Sequence, residues 1–205
     1  MLSTRLLPLL LFLLVLVPVQ AQTVLVAPVA RPVLPVPQPP SLRVRSYLLI
    51  EHDTGQVLAA HEPDLRVEPA SITKVLSAYV VFHELKAGRL QLDEQVRVSE
   101  NAWRSAIGGS RMFLAAGSRA RVEDLILGMI VQSGNDATIA LAEHIGGSEG
   151  GFVSMMNEYA RRLGMNASSF SNSTGLPDPN LYTTASDLAK LARAMIAEFP
   201  EYYPW

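Results

Sequence analysis

Pro69-Ala70-Ser71-Ile72-Thr73-Lys74 opens a stretch in which Val75, Leu76, Tyr79, Val80 and His83 recur at helical spacing until Gly88 stops the pattern. A helix that begins at Ser71 sets Lys74 one turn further along the same face, where amine and hydroxyl can meet. An alcohol is a poor nucleophile until a base takes its proton, and a lysine serves as that base if burial weakens its hold on its own proton. Acting so, Lys74 is expected to be largely neutral near pH 7. A serine at a helix start also aims its own backbone N–H where an oxyanion would form. The same residues equally fit a helix cap followed by a solvated lysine. Lysine is scarce here, with Lys74, Lys86 and Lys190 set against fourteen arginines, so each lysine's setting carries information.

About fifty residues on, Val122 to Val131 reads as a nearly all-apolar helix, and a second helix runs from Asp136 to Ile145. Ser133-Gly134-Asn135 sits in the break between them, where buried polar side chains need partners or a purpose. The alternative there is a polar interhelical turn. Ser99-Glu100-Asn101 has similar spacing but reads as an exposed helix cap ahead of Ala102-Trp103. Gly146-Gly147-Ser148-Glu149-Gly150 has the form of a nucleophile elbow, yet a helix precedes it and no histidine follows it, so it reads as a turn between helices.

Further helices are expected from Phe152 to Leu163 and from Thr184 to Phe199, the latter with Asp187 placed as in a capping box. Towards the N-terminus, Arg45 to His52 and Gln56 to Ala60 flank Asp53-Thr54-Gly55 as a β-hairpin. One hairpin followed by helices predicts an α+β fold with the helices gathered in a cluster. The four histidines, 52, 61, 83 and 144, have no metal-ligand spacing, and His61-Glu62 and His83-Glu84 read as surface or helix-face pairs. Glu158 with Arg161 and Arg162 reads as a solvated helix-face ion pair.

The 205 residues carry a net charge of −2, which excludes a basic surface for nucleic acid. With 49% apolar residues the chain is too hydrophobic for disorder, and without cysteine it has neither disulfide nor thiol chemistry. Arg5 followed by the apolar run Leu6 to Val19 and the small-residue site Val19-Gln20-Ala21 predicts an export signal over 1–21. Six prolines make 22–41 a stiff tether, and the folded part is expected over 42–205.

Taken as an ordered set, these segments resemble the serine D-alanyl-D-alanine carboxypeptidases, the low-molecular-mass penicillin-binding proteins that share a fold with serine β-lactamases. Ser71-Ile72-Thr73-Lys74 is similar to the family's first motif and Ser133-Gly134-Asn135 to its second. Gly109-Ser110-Arg111-Met112-Phe113-Leu114 looks like the stretch between them. Thr174-Gly175-Leu176-Pro177-Asp178 with Tyr182 to Asp187 looks like the loop-to-helix segment after them.

The resemblance spans Val44 to Trp205. It implies a helical cluster plus an antiparallel sheet, action on bacterial peptidoglycan stem peptides, and binding of β-lactams. It assigns Ser71 as nucleophile, Lys74 as base, Ser133 as proton relay and Asn135 as holder of the substrate amide, with no metal or organic cofactor. It also implies a place in the periplasm or at the outer face of the cytoplasmic membrane, with a peripheral membrane attachment through a further C-terminal segment.

The family's third motif, Lys-Thr-Gly or Lys-Ser-Gly, occurs nowhere in the sequence. The resemblance therefore implies a C-terminally truncated relative: an incomplete sheet, no turnover by this chain alone, and a Tyr202-Tyr203-Pro204-Trp205 tail left uncovered. A non-catalytic peptidoglycan binder on the same scaffold is the alternative. A class A β-lactamase is the weaker one, because residues four past Glu143, Glu149, Glu158 and Glu198 are Gly147, Val153, Arg162 and Tyr202 rather than asparagine.

Overall fold

The computed structural model describes residues 39–205. The expected export signal, and all but the end of the proline-rich tether, lie outside the described residues. The first elements are β1 (Tyr47–Ile50) and β2 (Val57–His61), an antiparallel pair in which Tyr47 faces His61 and Leu49 faces Ala59, with a bulge between Leu49 and Ile50. Their turn is built by Glu51, whose carboxylate accepts the backbone N–H of Asp53 and of Thr54 and the Thr54 hydroxyl. Those donors, led by the Thr54 hydroxyl, hold the carboxyl at about 2.

A single 3-10 turn, Ala70–Ile72, precedes α1 (Thr73–Lys86), so Ser71 stands in that turn rather than at the start of the α-helix. The sequence pattern suggested one apolar stripe on α1. In the structure Leu76 through Phe82, with Ser77 and Ala78 among them, is buried on every side. A helix enclosed all round is the central helix of a cluster, and α1 packs on α3 (Val122–Val131), α4 (Asn135–Gly146), α5 (Glu149–Arg162) and α6 (Ala185–Glu198). Leu76, Val80, Leu125, Ile139, Met156 and Phe199 lie at the heart of that core.

The helix ends follow local chemistry. Gly88 takes a positive φ just past the end of α1. The Ser99 side chain accepts the N–H of Ala102 to start α2 (Glu100–Ser105). Ser148 is the N-cap of α5, its hydroxyl oxygen accepting the Gly151 N–H, so the elbow-like glycine segment is a helix-to-helix turn.

Thr184 caps α6 through the Asp187 N–H, but the reciprocal half of a capping box does not form. The Asp187 carboxylate instead accepts the Ala167 N–H, the Ser168 hydroxyl and the Lys190 ammonium. It anchors the preceding loop.

The α+β architecture holds, with two corrections. A second antiparallel pair, β3 (Gln95–Arg97) with β4 (Arg119–Arg121), joins the expected hairpin, so the described residues carry two separate two-stranded sheets. The aromatic tail is covered in part, with Tyr203 left 60% exposed. Tyr202 stacks on Phe82 at 4.6 Å between ring centres, and Trp205 meets Tyr202 edge-on. Among the described residues no helix is long and apolar enough to cross a membrane.

Candidate active site

Lys74 is 6% exposed and lies at the centre of the polar part of the helix cluster. Its Nζ donates to Asn135 Oδ1 at 2.8 Å, to the Thr174 main-chain oxygen at 2.8 Å and to Ser71 Oγ at 3.4 Å. The expected Ser71–Lys74 meeting therefore occurs, and the solvated-lysine alternative does not. The buried Asn135 carboxamide oxygen is taken by the lysine, and its NH2 lies on the side of Gly109. Gly109 packs against that NH2 so closely that a Cβ at 109 would stand 2.5 Å from Nδ2.

Ser133 lines one cavity of about 310 Å³ together with Ser71, Lys74, Val75, Met129 and Ile130. Its hydroxyl is buried and has no hydrogen-bond partner among the described residues. Its φ is +54°, in the left-handed region, and Ala70 beside Ser71 has φ +47°. Non-glycine residues held there are strained by roughly 1–3 kcal/mol, a cost tolerated where surrounding structure imposes it.

The helix start that carries Ser133 and Asn135 is tied to the 110–114 loop. The Asn135 N–H donates to the Ser110 oxygen, and the buried Asp136 carboxylate accepts the N–H of Met112 and of Leu114. Ser133, Gly134 and Asn135 are thus braced from the loop side as well as by α4.

Burial lowers the Lys74 pKa from 10.5 to about 8. At pH 7 a group at 8 is neutral in roughly one molecule in ten, against about three in ten thousand at 10.5, so burial multiplies the available base about 300-fold. Lys74 is thus mainly cationic at pH 7 and becomes mainly neutral only above pH 8, which corrects the expectation of a largely neutral amine. The arrangement provides a hydroxyl, a weakened ammonium beside it and a second unpartnered hydroxyl around one cavity, with the Asn135 carboxamide behind them holding the amine. Such a set can transfer an acyl group through a serine ester without a metal.

The other sequence candidates lie elsewhere. Glu158 holds Arg161 and Arg162 in an exposed pair. His144 meets Glu94 at the surface. His83 is a helix-face residue of α1 with its side chain 26% exposed: its ring stacks on Tyr159, meets Tyr79 and Phe199 edge-on, and sets Nε2 3.4 Å from Glu198. Among the described residues no three histidine, aspartate or glutamate side chains gather as a metal site. The Thr174 carbonyl is a member of the site that spacing gave no sign of, because every residue carries a carbonyl.

Fold and site together are a helix cluster that holds a serine and a buried lysine in hydrogen-bond contact. The S11 peptidase family profile, D-alanyl-D-alanine carboxypeptidase, matches residues 35–204, and the chain belongs to that family. Among curated relatives, D-alanyl-D-alanine carboxypeptidase DacC of Escherichia coli is 41% identical over 168 residues, 80% of this chain and 42% of the relative. The crystal structure of D-alanyl-D-alanine carboxypeptidase DacD from Francisella tularensis superposes with a TM-score of 0.77 at 44% identity, over 82% of this chain and 41% of that one. Penicillin binding protein 5 from Haemophilus influenzae gives 0.79 at 41% identity, over 81% of this chain and 48% of that one. The chain spans about two fifths of the length of the curated relatives it matches.

Proposed function

We propose that this chain carries the acyl-transfer half-site of a serine-type D-alanyl-D-alanine carboxypeptidase. The observation that carries the reading is the Lys74 amine, lowered to about 8 and shared between Ser71 Oγ, Asn135 Oδ1 and the Thr174 oxygen. Neutral Lys74 takes the Ser71 hydroxyl proton as Oγ attacks the carbonyl between the two terminal D-alanines of a stem peptide. The Ser71 N–H, in the first turn and free of intrahelical partners, faces the developing oxyanion. The Asn135 NH2 holds the substrate amide. As the tetrahedral intermediate collapses and its C–N bond breaks, Ser133 relays the proton held on Lys74 to the departing D-alanine amine, and water then hydrolyses the ester, returning a proton to Ser71 Oγ. A β-lactam, whose ring amide mimics the dipeptide, acylates the same serine. The proposed steps use side chains and main-chain groups alone.

Export belongs to the same reading. The Leu6–Val19 run supports delivery to the periplasm or the outer face of the cytoplasmic membrane. Peripheral membrane attachment in a longer form remains part of the proposal.

The alternative reading is a peptidoglycan-binding relative on the same scaffold that does not acylate. Fluorescent penicillin with intact-mass analysis separates the two. The enzyme reading expects one covalent adduct on a Ser71 peptide, lost in Ser71→Ala and retained in Ser148→Ala. Stem-peptide binding with no adduct supports the binder, and an adduct that survives Ser71→Ala overturns the nucleophile assignment.

A further inference from the structure

The third contact on Lys74 comes from a loop, and a loop carbonyl is only as well placed as the residues that hold it. Asn172 holds this one. Its Oδ1 accepts the Thr174 N–H at 3.2 Å, the Thr174 hydroxyl at 3.2 Å and the Gly175 N–H at 2.7 Å, while its Nδ2 donates to the Leu176 oxygen at 2.9 Å. The carboxamide oxygen and one of its two N–H groups close the turn from 172 to 176.

The turn is fixed from outside as well. The Ser77 hydroxyl, one turn beyond Lys74 on α1, donates to the Ser173 oxygen at 2.7 Å. Glu149 accepts both the N–H and the hydroxyl of Ser173. Gly175 has φ +87°, and its backbone lies against the main chain of the nucleophile's own turn, where a Cβ would stand 1.8 Å from the Ala70 oxygen.

We infer that Asn172 is a positioning residue for the candidate base: by closing the 172–176 turn it presses the Thr174 carbonyl onto the Lys74 amine and keeps water from that side of it. The inference rests on the reading of Lys74 as the base, but its test does not need acylation to occur. Asn172 touches neither Lys74 nor Ser71. Its effect travels through the carbonyl of Thr174 and through the contact of Gly175 with Ala70.

The direction of the effect follows from which force weakens Lys74. Burial alone lowers its pKa, and a main-chain carbonyl accepts from the amine in either protonation state. Opening the turn therefore lets water in, and the lysine recovers towards its ordinary value.

Three lysines in the chain make the measurement direct. In protein labelled with 13Cε-lysine, each lysine gives one titrating signal, assigned by replacing each with arginine. In Asn172→Ala we expect the Lys74 midpoint to rise by about one unit, with the Lys86 and Lys190 signals unmoved. Asn172→Ser, whose hydroxyl oxygen can accept one of the two turn N–H groups, is expected to give a smaller rise. It also serves if the alanine variant fails to fold. Asn166→Ala, in an exposed turn, is the control that leaves all three midpoints in place.

A Lys74 midpoint that stays with the wild type, or falls, in the Asn172 variants overturns the inference. A purely structural asparagine would lower the unfolding midpoint without moving Lys74. The two readings fail separately. A shifted midpoint in a protein that forms no penicillin adduct sustains the positioning role and removes the acyl-transfer reading. An adduct with an unshifted midpoint does the reverse.

Discussion

The two ends of α1 bury two titratable side chains in different company. At the N-terminal end Lys74 is surrounded by oxygens, and a cavity of about 310 Å³ opens beside it onto Ser71 and Ser133. At the C-terminal end the partly buried His83 packs among rings, with Tyr159 stacked at 4.5 Å and Tyr79 and Phe199 edge-on at 4.7 and 4.8 Å, and its Nε2 lies 3.4 Å from Glu198. Burial lowers the pKa of both, His83 against the opposing pull of Glu198. Only one of them has a nucleophile in reach and space for a ligand. A weakened base marks a site when geometry gives it something to deprotonate; otherwise it marks a packed core.

Function should separate the two ends most widely. Lys74→Arg keeps the charge but cannot become neutral, so it is expected to lose acylation as fully as Lys74→Ala, by about 10²–10⁴-fold in the rate of penicillin adduct formation. His83→Ala is expected to leave that rate within about twofold, because nothing in the proposed chemistry passes through it. Near-normal labelling by Lys74→Arg would reduce Lys74 to an electrostatic role, and a large loss in His83→Ala would undo the contrast.

Stability should reverse the order. His83→Ala removes a ring from three aromatic contacts and is expected to cost about 1–3 kcal/mol in urea unfolding.

The pH dependence sharpens the contrast further. Between pH 8 and 10.5 the unfolded chain keeps the Lys74 proton that the folded chain has lost, so folding stability from this group rises with pH across that window. Below pH 8 the cost of burying the charge is fully present. Above about pH 10 tyrosines oppose the rise, because burial raises Tyr79, Tyr159 and Tyr202 in the folded state. From pH 8 to 10 the wild type should gain about 2 kcal/mol relative to Lys74→Met. A difference between the two proteins that does not change with pH would show that Lys74 titrates as an exposed lysine does.

The smallest effect is expected at the surface. Glu158→Gln breaks an exposed pair with Arg161 and Arg162 and should leave both the unfolding midpoint and the labelling rate in place.

What the sequence disclosed, and what it hid, follows the same physics. The meeting of Ser71 with Lys74 was legible because a three-residue offset along a helical turn leaves a pattern, Ser133 and Asn135 stood out as polar residues in a break between two apolar helices, and α3 and α6 were legible from apolar spacing and the Thr184 cap. The β3–β4 pair was not, since strands as short as Gln95–Arg97 and Arg119–Arg121 offer one apolar residue each and no period to detect. His83-Glu84 was legible as a helix-face pair, but not that Glu84 is buried and paired with Arg89, because that pairing depends on how the chain turns after α1. The Thr174 carbonyl and the Asp136 brace on the 110–114 loop join segments distant in sequence through main-chain atoms, which composition and spacing do not register.

The account stands on the state of one amine. Titration of the Lys74 13Cε signal in the wild-type chain, with Lys74→Arg to assign it, reads that state without requiring substrate or turnover. We expect a midpoint near 8, with the amine mainly neutral by pH 9. A midpoint at the ordinary lysine value near 10.5 would contradict the account, leaving Ser71 without a base in reach.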